Sequence, residues 1–134
     1  MQAFQTKKIS GPRDVAAPDG SDVRVLLGLH GGGMAHFELA EGLTSRAVVH
    51  RTVEEIWYCI GGRGELWRKQ DAREETVALV PGVCLTIPLG TRFQFRSFGP
   101  GPLACLGVTM PPWPGDGEAA PAEGPWKPKL SFEC

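Results

Sequence analysis

The chain has 134 residues, enough for one domain around one hydrophobic core, and a chain of that size needs neither disulfide nor metal merely to fold. Its 14 Lys and Arg against 15 Asp and Glu leave a formal net charge of −1, with no basic block, so no nucleic-acid or anionic-membrane surface is expected. No apolar run approaches the roughly 20 residues of a membrane span. The opening Met1-Gln2-Ala3-Phe4-Gln5-Thr6-Lys7-Lys8 lacks a secretory apolar stretch, so a soluble cytoplasmic protein is the expectation.

Residues before about Asp22 are polar and turn-rich and read as an arm, 1–22. From Val23 the pattern changes to short apolar runs divided by glycine and proline. Strands are expected at 23–29, 34–39, 45–50, 55–60, 64–68, 76–80, 84–87, 92–98 and 103–110. Turn residues separate most of them: His30-Gly31-Gly32-Gly33, Glu41-Gly42, Gly61-Gly62-Arg63-Gly64, Pro81-Gly82, Pro88-Leu89-Gly90 and Gly99-Pro100-Gly101-Pro102. The Gly61–Gly64 run reads as a hairpin, and His30–Gly33 as a glycine turn, since no nucleophile elbow or α/β pattern accompanies it. Strands at this spacing, with no sustained helical period, specify an all-β sandwich or small barrel with its core at about 23–110.

Beyond Met110 the proline-rich segment 111–134 can form neither a helix nor a central strand. Trp113 and Trp126 argue that it docks, as an extended strap on the barrel or on a second subunit, because large aromatics repay exposure only when packed. Cys59, Cys84, Cys105 and Cys134 form no CxxC pair and read as reduced, small hydrophobes.

The segment 42–64 resembles the first motif of the cupins. Gly42 opens it, Val48 stands where the first His belongs, His50 fits the second His, Glu55 the Glu, and Gly62 the closing Gly. In the second motif Gly82, Pro88 and Gly90 are in place, while Phe93 occupies the His position and Ser97 the Asn position. The resemblance implies the cupin fold, a jelly-roll β-barrel or double-stranded β-helix. It also implies a divalent metal held by three His and one Glu, of which only His50 and Glu55 remain. His36, on the strand before, would complete a two-His-one-carboxylate set for iron, manganese, nickel or zinc if its face turned inward. The other reading is a pocket without a metal cofactor.

Period-two logic extends the cavity lining from the matched positions. With His50 inward, Val48 and Arg46 follow; with Glu55 inward, Trp57 and Cys59; with Phe93 inward, Phe95. Tyr58 and Glu54 fall out of phase and face away. Such a lining, with a His, a carboxylate and Arg46 at its polar end, suits a small, partly apolar organic ligand carrying a carboxylate or carbonyl. In the alternative, the aromatics meet and fill the barrel. Arg92, Gln94 and Arg96 read as an outer polar face.

Three functions follow. One is a small-molecule-binding protein with the ligand in the barrel. Another is a metal-dependent enzyme of oxygenase, lyase or isomerase type using His36, His50 and Glu55, where His50 and Glu55 could also act as a metal-free acid–base pair. The last is a homodimeric interaction module whose pocket is vestigial.

Overall fold

Alternation of apolar and polar residues dictates the architecture. In the segment 54–61 each odd-numbered residue from Glu55 to Cys59 is buried and each even-numbered one exposed, the signature of a strand with one face on a core. The computed structural model describes residues 1–115 and 117–131; Cys134, at the end of the strap, lies outside them. Within the described residues the chain forms eleven strands: β1 (Val15–Ala16), β2 (Asp22–Leu29), β3 (Gly32–Leu39), β4 (Val48–His50), β5 (Glu54–Gly61), β6 (Gly64–Gln70), β7 (Arg73–Leu79), β8 (Cys84–Ile87), β9 (Arg92–Ser97), β10 (Leu103–Met110) and β11 (Ala119–Pro121). All are paired antiparallel, in a six-stranded sheet of order β1-β2-β3-β10-β5-β8 and a five-stranded sheet of order β11-β4-β9-β6-β7.

The inner faces of the two sheets meet through aromatic rings. Phe37 and Trp57, from the six-stranded sheet, lie 4.5 Å apart between ring centroids, and Trp57 stands 5.2 Å from Phe95 of the other sheet, both edge-to-face. Gly107 of β10, in register with both Ala35 and Trp57, makes this contact possible. A Cβ there would come within 3.0 Å of the Phe37 ring and 3.5 Å of Trp57. Leu39, Leu66, Leu79, Ile87, Leu103, Cys59 and Cys105 belong to the same buried cluster.

Several expectations need correction. The 45–50 strand begins only at Val48, because 45–47 is irregular and alternation breaks where Ala47 and Val48 are both buried. Gly61–Gly64 is not a hairpin: β5 and β6 belong to different sheets, and the turn carries the chain across the barrel. Gly62 serves that crossing with φ of +74° and a backbone so close to Pro102 that any side chain would collide. Strand structure also reaches beyond 23–110, since β1 of the arm pairs with β2 and β11 of the strap pairs with β4.

The strap lies on its own barrel. Gln94, read from sequence as outward and polar, is fully buried beneath it, donating to Ser45 O and Trp126 O (both 2.8 Å) and accepting from Trp126 N (3.1 Å). The Arg96 guanidinium stacks 4.1 Å from the Trp126 ring and pairs with Glu65. Nearer the barrel mouth, the buried Glu118 carboxylate accepts from Thr52 N (2.6 Å), Thr52 Oγ1 (2.8 Å) and Val53 N (2.8 Å). Burial acts to raise its pKa, but those donors, with His50 nearby, outweigh it and hold the carboxyl below its usual range.

A depressed carboxyl contributes stability above its ordinary value and loses it as pH falls through the folded value. Glu118→Gln is therefore expected to cost about 1–3 kcal/mol at neutral pH, with the deficit shrinking below the ordinary glutamate range. Urea unfolding across a pH series would check it; a deficit independent of pH would assign the cost to shape alone.

Candidate functional site

Between the two sheets lies a cavity of about 570 Å³. Its walls are Phe37 and Ala35 of β3, Val48 of β4, Trp57 of β5 and Phe93 of β9. The arm adds residues 15–19, β2 adds Val23 and Val25, and the strap adds Pro112 and Trp113. Polar groups at the wall are Asp19, Ser21, His50, Glu55 and Thr109. The barrel interior is thus open at the cavity and filled in the packed core.

His50 and Glu55 come together as the motif implied. Successive alternation on β4 and β5 turns both inward, and His50 Nδ1 stands 3.4 Å from Glu55 Oε2. The His50 ring sits between the Phe93 and Trp113 rings, with centroids 5.1 and 5.0 Å away and both contacts edge-to-face. Neither His50 Nδ1 nor the indole Nε1 of Trp57 has a hydrogen-bond partner among the described residues, though both are buried.

Apolar surroundings set the protonation of the pair. Burial pushes the Glu55 carboxyl up to about 8; the adjacent Trp57 indole offsets part of this and the Asp19 carboxylate adds to it. Burial lowers His50 to about 4, offset in part by Glu118. At neutral pH the pair is a carboxylic acid beside a neutral imidazole. Asp19, whose Oδ1 accepts from Ser21 N (2.9 Å) and Ser21 Oγ (2.7 Å), is also raised by burial despite those bonds and the Arg46 charge.

Of the expected lining, Val48, Trp57 and Phe93 face the cavity, and Arg46, Cys59 and Phe95 do not. Arg46 is exposed on the outside, where Nη1 donates to Pro18 O at 3.0 Å, because the irregular 45–47 segment breaks the phase carried back from His50. Phe95 and Cys59 keep the inward phase but lie deeper, in the packed core beneath the cavity. Sequence reasoning missed Asp19, Phe37 and Trp113. Trp113 carried a signal, an aromatic in a proline-rich tail; Asp19 carried none, being one acid in a polar arm.

His36 does not join the site. Phe37 turns inward, so its neighbour turns out, and His36 lies on the far face of the sheet with its imidazole 3.4 Å from Arg24 Nη1 and 3.8 Å from Glu38 Oε1. The set His36, His50 and Glu55 is therefore not assembled. Phe93 fills the space of another His, with its ring against His50, and among the described residues no three His, Cys, Asp or Glu side chains converge as metal ligands. Two converging donors fall short of the three protein ligands that a catalytic zinc centre ordinarily takes.

Two outcomes follow. A carboxyl whose folded pKa is raised costs stability as pH climbs from the ordinary value toward the folded one. Glu55→Gln is thus expected to stabilise the protein by on the order of 2–4 kcal/mol above about pH 8, with the gain vanishing below about pH 4.5, in unfolding experiments. An unchanged stability difference over that range would contradict a buried, cation-free Glu55. Elemental analysis of protein grown with iron, manganese, nickel and zinc is expected to find well below one equivalent bound, unaltered by His50→Ala. Near-stoichiometric metal lost in the variant would restore the metal reading.

No family model matches the chain, and no curated protein sequence matches it. Solved structures do. A conserved double-stranded β-helix protein from Klebsiella pneumoniae shares 19% identity over 81% of this chain and 89% of its own, with a TM-score of 0.63. Oxalate decarboxylase from Lactobacillus farciminis, as a formate complex, shares 20% identity with a TM-score of 0.64, covering 70% of this chain and 30% of its own. The coconut allergen cocosin shares 20% identity with a TM-score of 0.67, covering 78% of this chain and 30% of its own. The chain thus spans less than a third of the last two. A further match, the Bacillus subtilis oxalate decarboxylase, carries Mn(II) centres. These likenesses establish architecture and leave chemistry to the residues. With its two antiparallel sheets, inward-facing motif positions and these structural neighbours, the chain has the cupin fold, a double-stranded β-helix.

Proposed function

We propose that this protein binds a small organic molecule inside the barrel, held between aromatic walls and seated on the His50–Glu55 pair. The observation that carries the reading is the cavity itself: about 570 Å³, largely apolar, and ending on buried polar groups. That combination of size, apolar wall and few convergent polar groups is the general form of a small-molecule site. Among the described residues, His50 Nδ1 and Trp57 Nε1 are buried with no well-formed hydrogen bond, the Glu55 carboxyl being the polar group beside both, so a ligand could improve on their present contacts, and an unmade buried hydrogen bond costs about 1–3 kcal/mol. The carboxylate-bearing ligand expected from sequence depended on Arg46, which lies outside the cavity, and drops from the proposal.

A second reading adds chemistry. A neutral imidazole 3.4 Å from a carboxylic acid can take a proton from one atom of a ligand while the acid supplies one to another, without a metal. Deuterium appearing at a carbon of a bound ligand, and not with His50→Ala, would support it.

The test of binding is a thermal-shift screen over neutral, cationic and anionic aromatic compounds, followed by tryptophan fluorescence, since Trp57 and Trp113 both face the cavity. A binder should raise the melting temperature by several degrees and quench fluorescence. Val48→Trp, which fills the cavity, should abolish both while leaving the β-sheet circular dichroism intact. A screen in which no class shifts the melting temperature would sink the proposal.

A further inference from the structure

We infer that the molecule taken up is an organic ammonium ion, an amine carried on an aromatic or branched apolar body. This rests on the cavity reading above and names its ligand class. Two carboxyl groups, Asp19 from the arm and Glu55 from β5, face one apolar space, and no Lys or Arg lines it among the described residues. Arg46 acts on Asp19 only from outside, its guanidinium engaged with Pro18 O.

A buried carboxylate without a cation is costly, and it either protonates or recruits a positive partner. Four aromatic side chains, Phe37, Trp57, Phe93 and Trp113, bound the same space. Their π-faces attract an ammonium group and their bulk receives its apolar body. The neutral His50, whose buried Nδ1 lies 3.4 Å from Glu55 Oε2 without a well-formed hydrogen bond, offers an acceptor for an N–H of the ligand once the imidazole proton sits on Nε2. A ligand carboxylate would meet two acids and no cation. An uncharged alcohol would gain hydrogen bonds but leave Glu55 without a counter-charge.

Uptake of a cation is linked to proton release. Glu55 lies near 8 in the empty cavity through burial, with the Asp19 charge acting in the same direction. An ammonium group beside it favours the carboxylate, so the acid sheds its proton as the ligand binds. The titratable groups around the site, His50 on β4, Glu118 on the strap and Asp19 on the arm, include no competing cation at neutral pH, because His50 is held neutral. Affinity for the amine should therefore rise with pH through the Glu55 range.

Calorimetry on the full chain with three probes of one shape tests this: a naphthylethylamine, the corresponding naphthylethanol, and naphthylacetate. At neutral pH the amine should bind about tenfold or more tighter than the alcohol. The acetate should bind more weakly than either. Heats in two buffers of different ionisation enthalpy should reveal a released proton with the amine alone. Glu55→Gln combined with Asp19→Asn should remove the amine's advantage and the proton release while the alcohol still binds. Equal or tighter binding of the alcohol or the acetate, or an amine that binds without releasing a proton, would overturn the inference and leave the cavity reading standing. If none of the three binds and a neutral fluorescent probe such as phenylnaphthylamine is also not taken up, both readings fall together.

Discussion

Two sheets must be held face to face before anything else in this molecule can exist, and four aromatic rings do it. Phe37 and Trp57 reach from one sheet, Phe93 and Phe95 from the other, and every contact among them is edge-to-face. The arrangement depends on Gly107, whose missing side chain lets Phe37 and Trp57 approach. It also divides the barrel: Phe95 closes the packed part with the leucines and cysteines, while Phe93 and Trp57 belong to that core and line the cavity as well. The same rings serve as core and as binding wall, so packing and recognition are joined at one layer.

The strap is the second organising feature, and polar bonds hold it. Gln94 exchanges hydrogen bonds with the Trp126 backbone, Arg96 stacks on the Trp126 ring, and Glu118 gathers donors of the β4–β5 turn. These buried polar groups are satisfied, so they select one docked position as well as stabilise it. That position brings Trp113 against His50. Segments at opposite ends of the chain thus finish the cavity: Asp19 comes from the arm and Trp113 from the strap.

Electrostatics inside follow from what is missing from the walls. In the cupin motif four ligands would neutralise a metal; here Val48 and Phe93 replace two of them with hydrocarbon. The remaining Glu55 has no cation beside it, so burial dominates and raises its pKa, while burial also strips the charge from His50. The result is a neutral, buried acid–base pair, distinct from the charged couple that the same two residues would form at a surface.

Much of the barrel was legible in the sequence because glycine, proline and period-two alternation report the local backbone path. Gly42, Gly62, Gly82 and Gly90 all adopt the positive φ that their motif positions imply, and the alternation on β5 placed Glu55, Trp57 and Cys59 inward and Tyr58 outward without error. What alternation cannot carry is phase across an irregular stretch, depth along a barrel, or contact between distant segments. Arg46 was misplaced because 45–47 is not a strand, and Phe95 and Cys59 because inward does not mean cavity-lining, while the direction of His36 stayed open because neither face of β3 is marked as inner until Phe37 meets Trp57. By itself, the sequence determined the all-β class, since that rests on local spacing, and its resemblance to the cupin motifs implied the barrel and the meeting of His50 with Glu55. Only the tertiary structure decided that the cavity is open, that Asp19 and Trp113 complete it, and that no Lys or Arg among the described residues lines it, because those depend on where separated segments come to rest.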